Sequence, residues 1–289
     1  MKKPAFVYEA LKWASSFLAE NGREQRAADV LMRHHLQKDW TDFHLSRRDE
    51  LNEDVWEAFQ RDVFLYGKGI PVQHLMGYEE FFGRRFNVSE DVLIPRPETE
   101  ELVEGVLSWL KLHHKKSASV ADIGTGSGAI AVTLALEFSD LQVTAVELND
   151  AALHMAEKNA ESLQAEVSFL KGDLLEPLQR KEKKWDVIVS NPPYIPKNEW
   201  VQLDSLVKDH EPELALIGQG EDGLYCYRKM AAHLSNVLKK DGLAAFEIGE
   251  KQGKEVAAIF QKALPDAKVD VRLDINGKER MVFCERGRI

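Results

Sequence analysis

The stretch Asp122-Ile123-Gly124-Thr125-Gly126-Ser127-Gly128-Ala129 decides the fold. It leaves an apolar run, Ser119 to Ile123, that reads as a strand, and it opens into a helix-compatible run through Leu136. Glycines at such a junction let the backbone pass close to a ligand, and the first turn of the helix offers N–H groups that have no intrahelical partner. In an open α/β sheet the crevice at the carboxyl ends of the strands is where nucleotide-like ligands bind. A tight strand–helix turn with no ligand would use the same glycines, so the surrounding sequence has to discriminate.

Working outward, strand-like and helix-period segments alternate from Glu98 onward. The first helix carries an apolar face of Leu102, Val103, Val106, Leu107 and Leu110. Further strands read at Gln142 to Glu147, Glu166 to Lys171, Trp185 to Ser190 and Gly242 to Ile248, with helix-compatible stretches between them. That alternation predicts right-handed crossovers and an α/β fold, a Rossmann-like parallel sheet covered on both faces. Lys268 to Asp274 and Glu279 to Glu285 depart from it, because Asn276-Gly277 between them is a hairpin turn signal. The hairpin is expected to add an antiparallel strand at the end of the sheet. No internal repeat is present.

Upstream, residues 1–71 read as a small all-α domain. Leu11, Ala14, Phe17 and Leu18 recur at helical spacing, as do Ala27, Val30 and Leu31, and later Val55, Phe59 and Val63. Asn52 followed by Glu53 and Asp54 reads as a cap with an acidic first turn. Gly67, Gly69 and Pro71 then break the pattern. Residues 72–97 read as a linker with a short β-hairpin, from Gly77, Gly83 and the alternation Arg85-Phe86-Asn87-Val88. The third part, residues 98–289, carries the sheet.

Composition sets further bounds. The chain of 289 residues exceeds the roughly 100 to 200 residues of one ordinary domain. With 44% hydrophobic and 30% charged residues it has the material for a core. No apolar run approaches the roughly 18 residues needed to span a bilayer, and Met1-Lys2-Lys3-Pro4 does not begin a secretory signal, so a cytoplasmic location is expected. Two cysteines, Cys226 and Cys284, form no disulfide framework, and the nine histidines show no zinc-site spacing, so no metal is expected. His34-His35 and His113-His114 read as solvated helix faces or ends, and Lys181 to Lys184 as a solvated turn. A net charge of -10 disfavours extended binding to a phosphate backbone.

Three further features weigh on the glycine-rich turn. Glu147 lies 23 positions after Gly124, at the end of the second strand, where a carboxylate can accept hydrogen bonds from both ribose hydroxyls. A surface acid beside a helix cap at Asn149 or Asp150 is the plainer alternative. Asp173, at the end of the third strand, is placed to receive an adenine amino group, or else to serve as a turn residue after Gly172. The spacing Gly124-x-Gly126-x-x-Ala129 also satisfies the relaxed dinucleotide fingerprint.

The loop after the fourth strand argues against a dinucleotide enzyme. Ser190-Asn191-Pro192-Pro193-Tyr194-Ile195-Pro196 emerges there. Asn191 precedes a proline and is pushed out of the α region, while Pro192 and Pro193 have fixed φ and no N–H to donate. The loop is stiff and rich in acceptors. An amide nitrogen is a poor nucleophile, so a catalyst must aim its lone pair at the methyl donor. The Asn191 side-chain carbonyl and the Pro192 backbone carbonyl can each take one hydrogen of a planar NH2 group. Tyr194 can stack on that group and turn its π face to a cationic sulfonium, worth about 0.5 to 2 kcal/mol. A proline-rich loop selected for rigidity alone is the plainer alternative.

These residues resemble the peptide chain release factor glutamine methyltransferase family (HemK/PrmC type). The resemblance runs over roughly residues 70–289. It includes Pro71-Val-Gln-His-Leu75 with Gly77, Phe81-Phe82-Gly83 and Leu93-Ile-Pro-Arg-Pro-Glu-Thr-Glu100. Further on it includes Glu211-Pro-Glu-Leu-Ala-Leu216 with Asp222-Gly-Leu224, Glu247-Ile-Gly249 with Gln252, and Asp274 with Arg280. It implies a seven-stranded class I methyltransferase domain that uses S-adenosyl-L-methionine, behind a helical domain that docks the release factor. The substrate it implies is the glutamine of the Gly-Gly-Gln motif. Implied cofactor contacts are Gly124, Thr125, Gly126, Ser127, Gly128, Glu147, Asp173, Leu174 and Asn191, with Leu174 standing where some members carry an aromatic residue beside the adenine. Asn191, Pro192, Pro193 and Tyr194 would grip the glutamine amide, Asn191, Pro192 and Tyr194 being the catalytic set. Arg96 and Thr99 would border the cofactor pocket or simply start a helix. A monomer is expected.

Exocyclic amino groups of DNA or RNA bases present the same planar NH2, so an amino-methyltransferase acting on nucleic acid is the alternative. Such substrates normally call for a basic surface and a target-recognition module, whereas this chain is acidic. A binding module that keeps the fold without turnover is a further alternative, which the intact Asn191 to Tyr194 loop disfavours.

Overall fold

In a computed structural model the structure describes residues 3–202 and 205–287. Two compact units are present, one formed by Met1–Tyr78 with Asp204–His210, the other by Glu79–Leu203 with Glu211–Ile289.

The first unit is helical, with helices Val7–Glu20, Ala27–Leu36, Trp40–Leu45, Glu53–Gly67 and Val72–Met76. Its core takes one stripe from each long helix: Ala10, Ala14 and Leu18, then Leu31 and Met32, then Trp56, Phe59 and Val63. Trp13 adds edge-on contacts to Trp56 and Phe64, with ring centroids 5.0 and 5.6 Å away. Asn52 caps the fourth of these helices by accepting from the Asp54 N–H at 2.8 Å. One expectation fails here: His35 is not solvated. Its Nε2 lies 2.8 Å from Oδ2 of the buried Asp62, whose other oxygen accepts from Arg61 Nε, also at 2.8 Å. Burial of that acid required a partner, and position 35, 27 residues away, supplies it.

A hairpin, β1 (Tyr78–Phe81) and β2 (Arg84–Asn87), begins at the last residue of the Met1–Tyr78 segment and belongs otherwise to the second unit. Asn159 fixes it to the domain by donating to the Asn87 carbonyl at 3.0 Å and accepting from the Asn87 N–H at 2.8 Å. The main sheet comprises β3 (Ser119–Ile123), β4 (Gln142–Glu147), β5 (Val167–Lys171), β6 (Trp185–Ser190), β7 (Leu238–Glu247), β8 (Ala267–Leu273) and β9 (Glu279–Arg286). Their spatial order is β5-β4-β3-β6-β7-β9-β8. Strands β3 to β7 pair in parallel, whereas β9 is antiparallel to both β7 and β8. The antiparallel strand thus lies one place in from the edge, and β8 forms the edge.

Alternation along the central strands fills a core on each face. Val187 and Val189, with Leu243 and Ala245, join the helix Pro97–Leu112 on one side; Ile188, Ala244 and Phe246 face the helices Tyr225–Val237 and Gly253–Ala263 on the other. Both faces are covered, which is why these strands are apolar at nearly every position. Phe246 and Phe260 stack at 4.2 Å. Each such buried ring contributes about 1.5 to 3 kcal/mol by leaving water. β7 begins before the expected Gly242, at Leu238, because Leu238 pairs with Trp185 across a register shift that its polar neighbours Lys239 to Asp241 conceal. His113 also differs from expectation, being stacked on the Trp109 ring at 4.5 Å.

Candidate active site

The parallel part of the sheet reverses its winding between β3 and β6, the position at which loops leaving neighbouring strands diverge and open a crevice. Ile123 and Ser190, the last residues of those strands, are direct neighbours, and Ser190 Oγ donates to the Ile123 carbonyl at 2.6 Å. The glycine-rich turn and the Asn191 loop therefore leave the sheet side by side. Gly124 and Thr125 N–H groups both donate to the Val146 carbonyl, at 2.9 and 3.1 Å, which folds the turn back over β4. Gly128 closes it at φ +83°, and a Cβ there would meet Ala156 at 3.1 Å.

Glu147 sits beneath this turn, buried, with three backbone donors on its carboxylate. Oε2 accepts from Gly126 N–H at 2.9 Å, and Oε1 accepts from Leu148 and Asn149 N–H at 2.8 and 2.9 Å. A carboxylate offers about four lone-pair directions, so acceptor capacity remains toward the crevice. The charge of Glu147 also acts on Asp122, whose carboxyl is pushed up to about 7, chiefly by complete burial and against the hydrogen bond from Thr125 Oγ1 at 2.5 Å. Asn149 caps the next helix by accepting from Ala151 and Ala152 N–H.

Gly124 through Ser127, Glu147, Asp173, Leu174, Asn191 and Pro193 line one cavity. Hydroxyl and carboxylate groups cluster at its glycine-rich end, and Leu148 and Leu174 give apolar walls. That donor set fits a nucleoside, with sugar hydroxyls at the acid and a flat base between the walls. Gly128 lies outside the lining and acts at the helix start. Asp173 is ion-paired with Lys229, a partner 56 residues away that no spacing rule announces. Leu174 holds φ +47°, uncommon for a residue with a Cβ.

The Asn191 loop divides in two. Asn191 and Pro193 line the cavity; Pro192 is buried, and Tyr194, outside the lining, is partly buried against the core. Burial pushes the Tyr194 phenol up to about 12, helped by the charge of Glu247. Gln252 Nε2 donates to the Tyr194 carbonyl at 2.9 Å. Asn191 Nδ2 donates to Thr99 Oγ1 at 3.2 Å, and Thr99 Oγ1 donates to Glu247 Oε2 at 2.6 Å. Glu247 is 2% exposed; burial pushes its carboxyl up to about 7 against the Thr99 hydrogen bond and the Arg280 charge. Arg96 also lines the cavity and pairs with Glu211 Oε1 at 2.5 Å, while Glu211 Oε2 accepts from Ile94 N–H at 3.1 Å.

Residues 106–214 match the Methyltransferase small domain family, and residues 9–77 match the PrmC N-terminal domain family. Among solved structures, a methyltransferase from Pyrococcus furiosus is similar over 72% of this chain and 91% of its own, at a TM-score of 0.52 and 19% identity. The hMettl16 catalytic domain is similar over 82% and 83%, at a TM-score of 0.54 and 16% identity. These similarities concern the fold alone. Sequence relatives reach further. A release factor glutamine methyltransferase of Bacillus cereus is 50% identical over 280 residues, covering 96% of this chain and 99% of that protein. One from Bacillus subtilis is 45% identical over 278 residues, covering 96% of each. The chain belongs to the release factor glutamine methyltransferase family.

Proposed function

We propose that this methyltransferase transfers a methyl group from S-adenosyl-L-methionine to the side-chain amide nitrogen of the glutamine in the Gly-Gly-Gln motif of peptide chain release factors. The observation that carries the reading is the shared cavity at the β3/β6 switch point, where the Gly124 to Ser127 turn and Asn191 open onto the same space. Identity of 50% to the Bacillus cereus relative supports the choice of glutamine over a nucleobase, and so does the net charge of -10.

In this reading S-adenosyl-L-methionine, when bound, supplies a sulfonium methyl group to a nitrogen nucleophile. Glu147 takes the ribose hydroxyls on the lone pairs its backbone donors leave free. Asp173 and Leu174 border the adenine. The Asn191 carboxamide oxygen and the Pro192 carbonyl each accept a hydrogen of the glutamine NH2, which leaves the lone pair pointing along the transfer direction. No strong base is needed beforehand, because the nitrogen becomes acidic only on alkylation. Residues 1–71 dock the release factor and residues 72–97 link them to the catalytic domain, 98–289. The reaction belongs to the cytoplasm, with translation.

Transfer of tritium from labelled S-adenosyl-L-methionine tests the reading. Label is expected in release factor and absent from DNA and RNA; the reverse result sinks the assignment. Asn191→Ala is expected to lose transfer while still binding cofactor, and a fully active variant would refute the amide grip.

A further inference from the structure

We propose that Thr99 is a positioning residue, whose hydroxyl holds the Asn191 carboxamide in the one orientation that leaves its oxygen free for the acceptor NH2. The inference rests on the amide-grip reading of Asn191 given above.

The supply of protons fixes the orientation. Thr99 Oγ1 is 2.6 Å from Glu247 Oε2 and 3.2 Å from the Asn191 side-chain amide. Thr99 and Glu247 are 4% and 2% exposed, so water does not satisfy either group. An ionised carboxylate can only accept, and a hydroxyl has a single hydrogen to give. Thr99 must give it to Glu247. It can then meet Asn191 only as an acceptor, which obliges Asn191 to present its NH2 to Thr99 and to turn Oδ1 away. Without this constraint a carboxamide can turn over, exchanging acceptor for donor at the same place. A donor facing the substrate NH2 would repel it.

The components come from distant parts of the chain. Thr99 lies in the first turn of the helix Pro97–Leu112, Glu247 ends β7, and Asn191 follows β6. Tyr227 donates from its hydroxyl to the Glu247 backbone carbonyl at 2.7 Å, fixing the end of β7 independently of the carboxylate. Charged and titratable groups facing Glu247 are Arg96 and Glu98 beside Thr99, Tyr194 in the loop, Tyr227 in the helix Tyr225–Val237, and Arg280 in β9. Both arginines favour the ionised acid, and burial opposes them, leaving Glu247 at about 7. Protonated Glu247 can donate to Thr99 and release the threonine hydrogen toward Asn191, which permits the unproductive orientation. The amide grip should therefore improve as pH rises through about 7.

Steady-state kinetics on release factor, with cofactor affinity by calorimetry, tests this in the full-length enzyme. Thr99→Val should lower kcat by about 10- to 100-fold with cofactor Kd changed less than about threefold, and Thr99→Ser should recover most of that loss. In an Asn191→Ala background, Thr99→Val should add less than about a twofold further loss, since it acts through Asn191. Glu247→Gln should remove the rise of kcat near pH 7. Parental kcat in Thr99→Val overturns the inference. Additive losses in the double variant also overturn it, while the amide grip stands. Full activity in Asn191→Ala alone instead overturns the grip itself. Should Thr99→Val not fold, the pH profile of Glu247→Gln decides: a rise that persists overturns the inference.

Discussion

Gln252 donates from Nε2 to the backbone carbonyl of Tyr194 at 2.9 Å while its own Oε1 accepts from Gly249 N–H at 3.0 Å. One side chain thus ties the Asn191 to Tyr194 loop to the turn after β7. Gln252→Leu keeps the bulk and removes both bonds, with a longer one from Nε2 to the Asp222 carbonyl at 3.4 Å, leaving the Tyr194 carbonyl and the Gly249 N–H without these partners. The expected result is a stability loss of about 1 to 3 kcal/mol and a fall in kcat/KM of about tenfold. Chemical denaturation and single-turnover transfer check it; unchanged transfer would show that Tyr194 needs no such tether.

Gly223 approaches the same carbonyl. A Cβ built there would lie 2.1 Å from Tyr194 O, and its φ of +70° suits only glycine well. Gly223→Ala should displace the loop and lower activity more than it lowers the melting temperature, because the clash falls on the Asn191 to Tyr194 segment rather than on the sheet. Full turnover at parental KM would contradict this.

Glu147→Gln replaces an acceptor-only group by one whose NH2 faces backbone N–H donors. Cofactor Kd should rise by about 10- to 100-fold, the loss of one to two charge-assisted hydrogen bonds. Release-factor KM, extrapolated to saturating cofactor, should change little. Calorimetric titration with S-adenosyl-L-methionine settles it, and an unaltered Kd would remove Glu147 from the cofactor site.

Two buried aspartates predict opposite limbs of a stability–pH curve. Asp122 is raised to about 7 by burial, so the folded state binds the extra proton; its contribution is full below about pH 4 and lost as pH rises through about 7. Asp186 is lowered to about 2: burial works against ionisation, but hydrogen bonds from Lys239, Ser119 and Lys115 prevail. Its contribution is present above about pH 4 and lost as pH falls through about 2. Asp122→Asn should flatten the decline in melting temperature between about pH 4 and pH 7, and Asp186→Ala should destabilise the protein at pH 7 by about 1 to 3 kcal/mol, leaving the buried Ser119 N–H without its acceptor. A decline as steep in Asp122→Asn as in the parent would contradict the first expectation.

The sequence made the sheet legible because its strands are buried on both faces and its helices keep a 3.6-residue period. Position in the sheet was harder to read. Asn276-Gly277 announces a hairpin, yet nothing local says that its second strand inserts beside β7. The stiff Asn191 to Tyr194 loop was legible through its prolines, and its place next to Gly124 through the winding of an α/β sheet. The depth of Tyr194, turned partly toward the core, was not. Side-chain pairs that join separate segments left no periodic trace: Thr99 with Glu247 spans 148 positions, Asp173 with Lys229 spans 56, and His35 with Asp62 spans 27. Burial of an acid dictates the first and the last of these, proximity across the fold the second, and both are known only once the chain has folded.

The antiparallel insertion of β9 also bears on biosynthesis. β7 pairs with β6 on one side and with β9 on the other, and the edge strand β8 reaches the sheet only through β9. A ribosome delivers β8 before its neighbour exists. Until Glu279–Arg286 emerges, the nascent domain holds an open backbone ladder along β7 and an orphan strand beside it, both templates for mispairing with other chains. Closure of the domain is therefore a late event that the final segment of the sheet performs, and a chain arrested before Glu279 should be a target for chaperones.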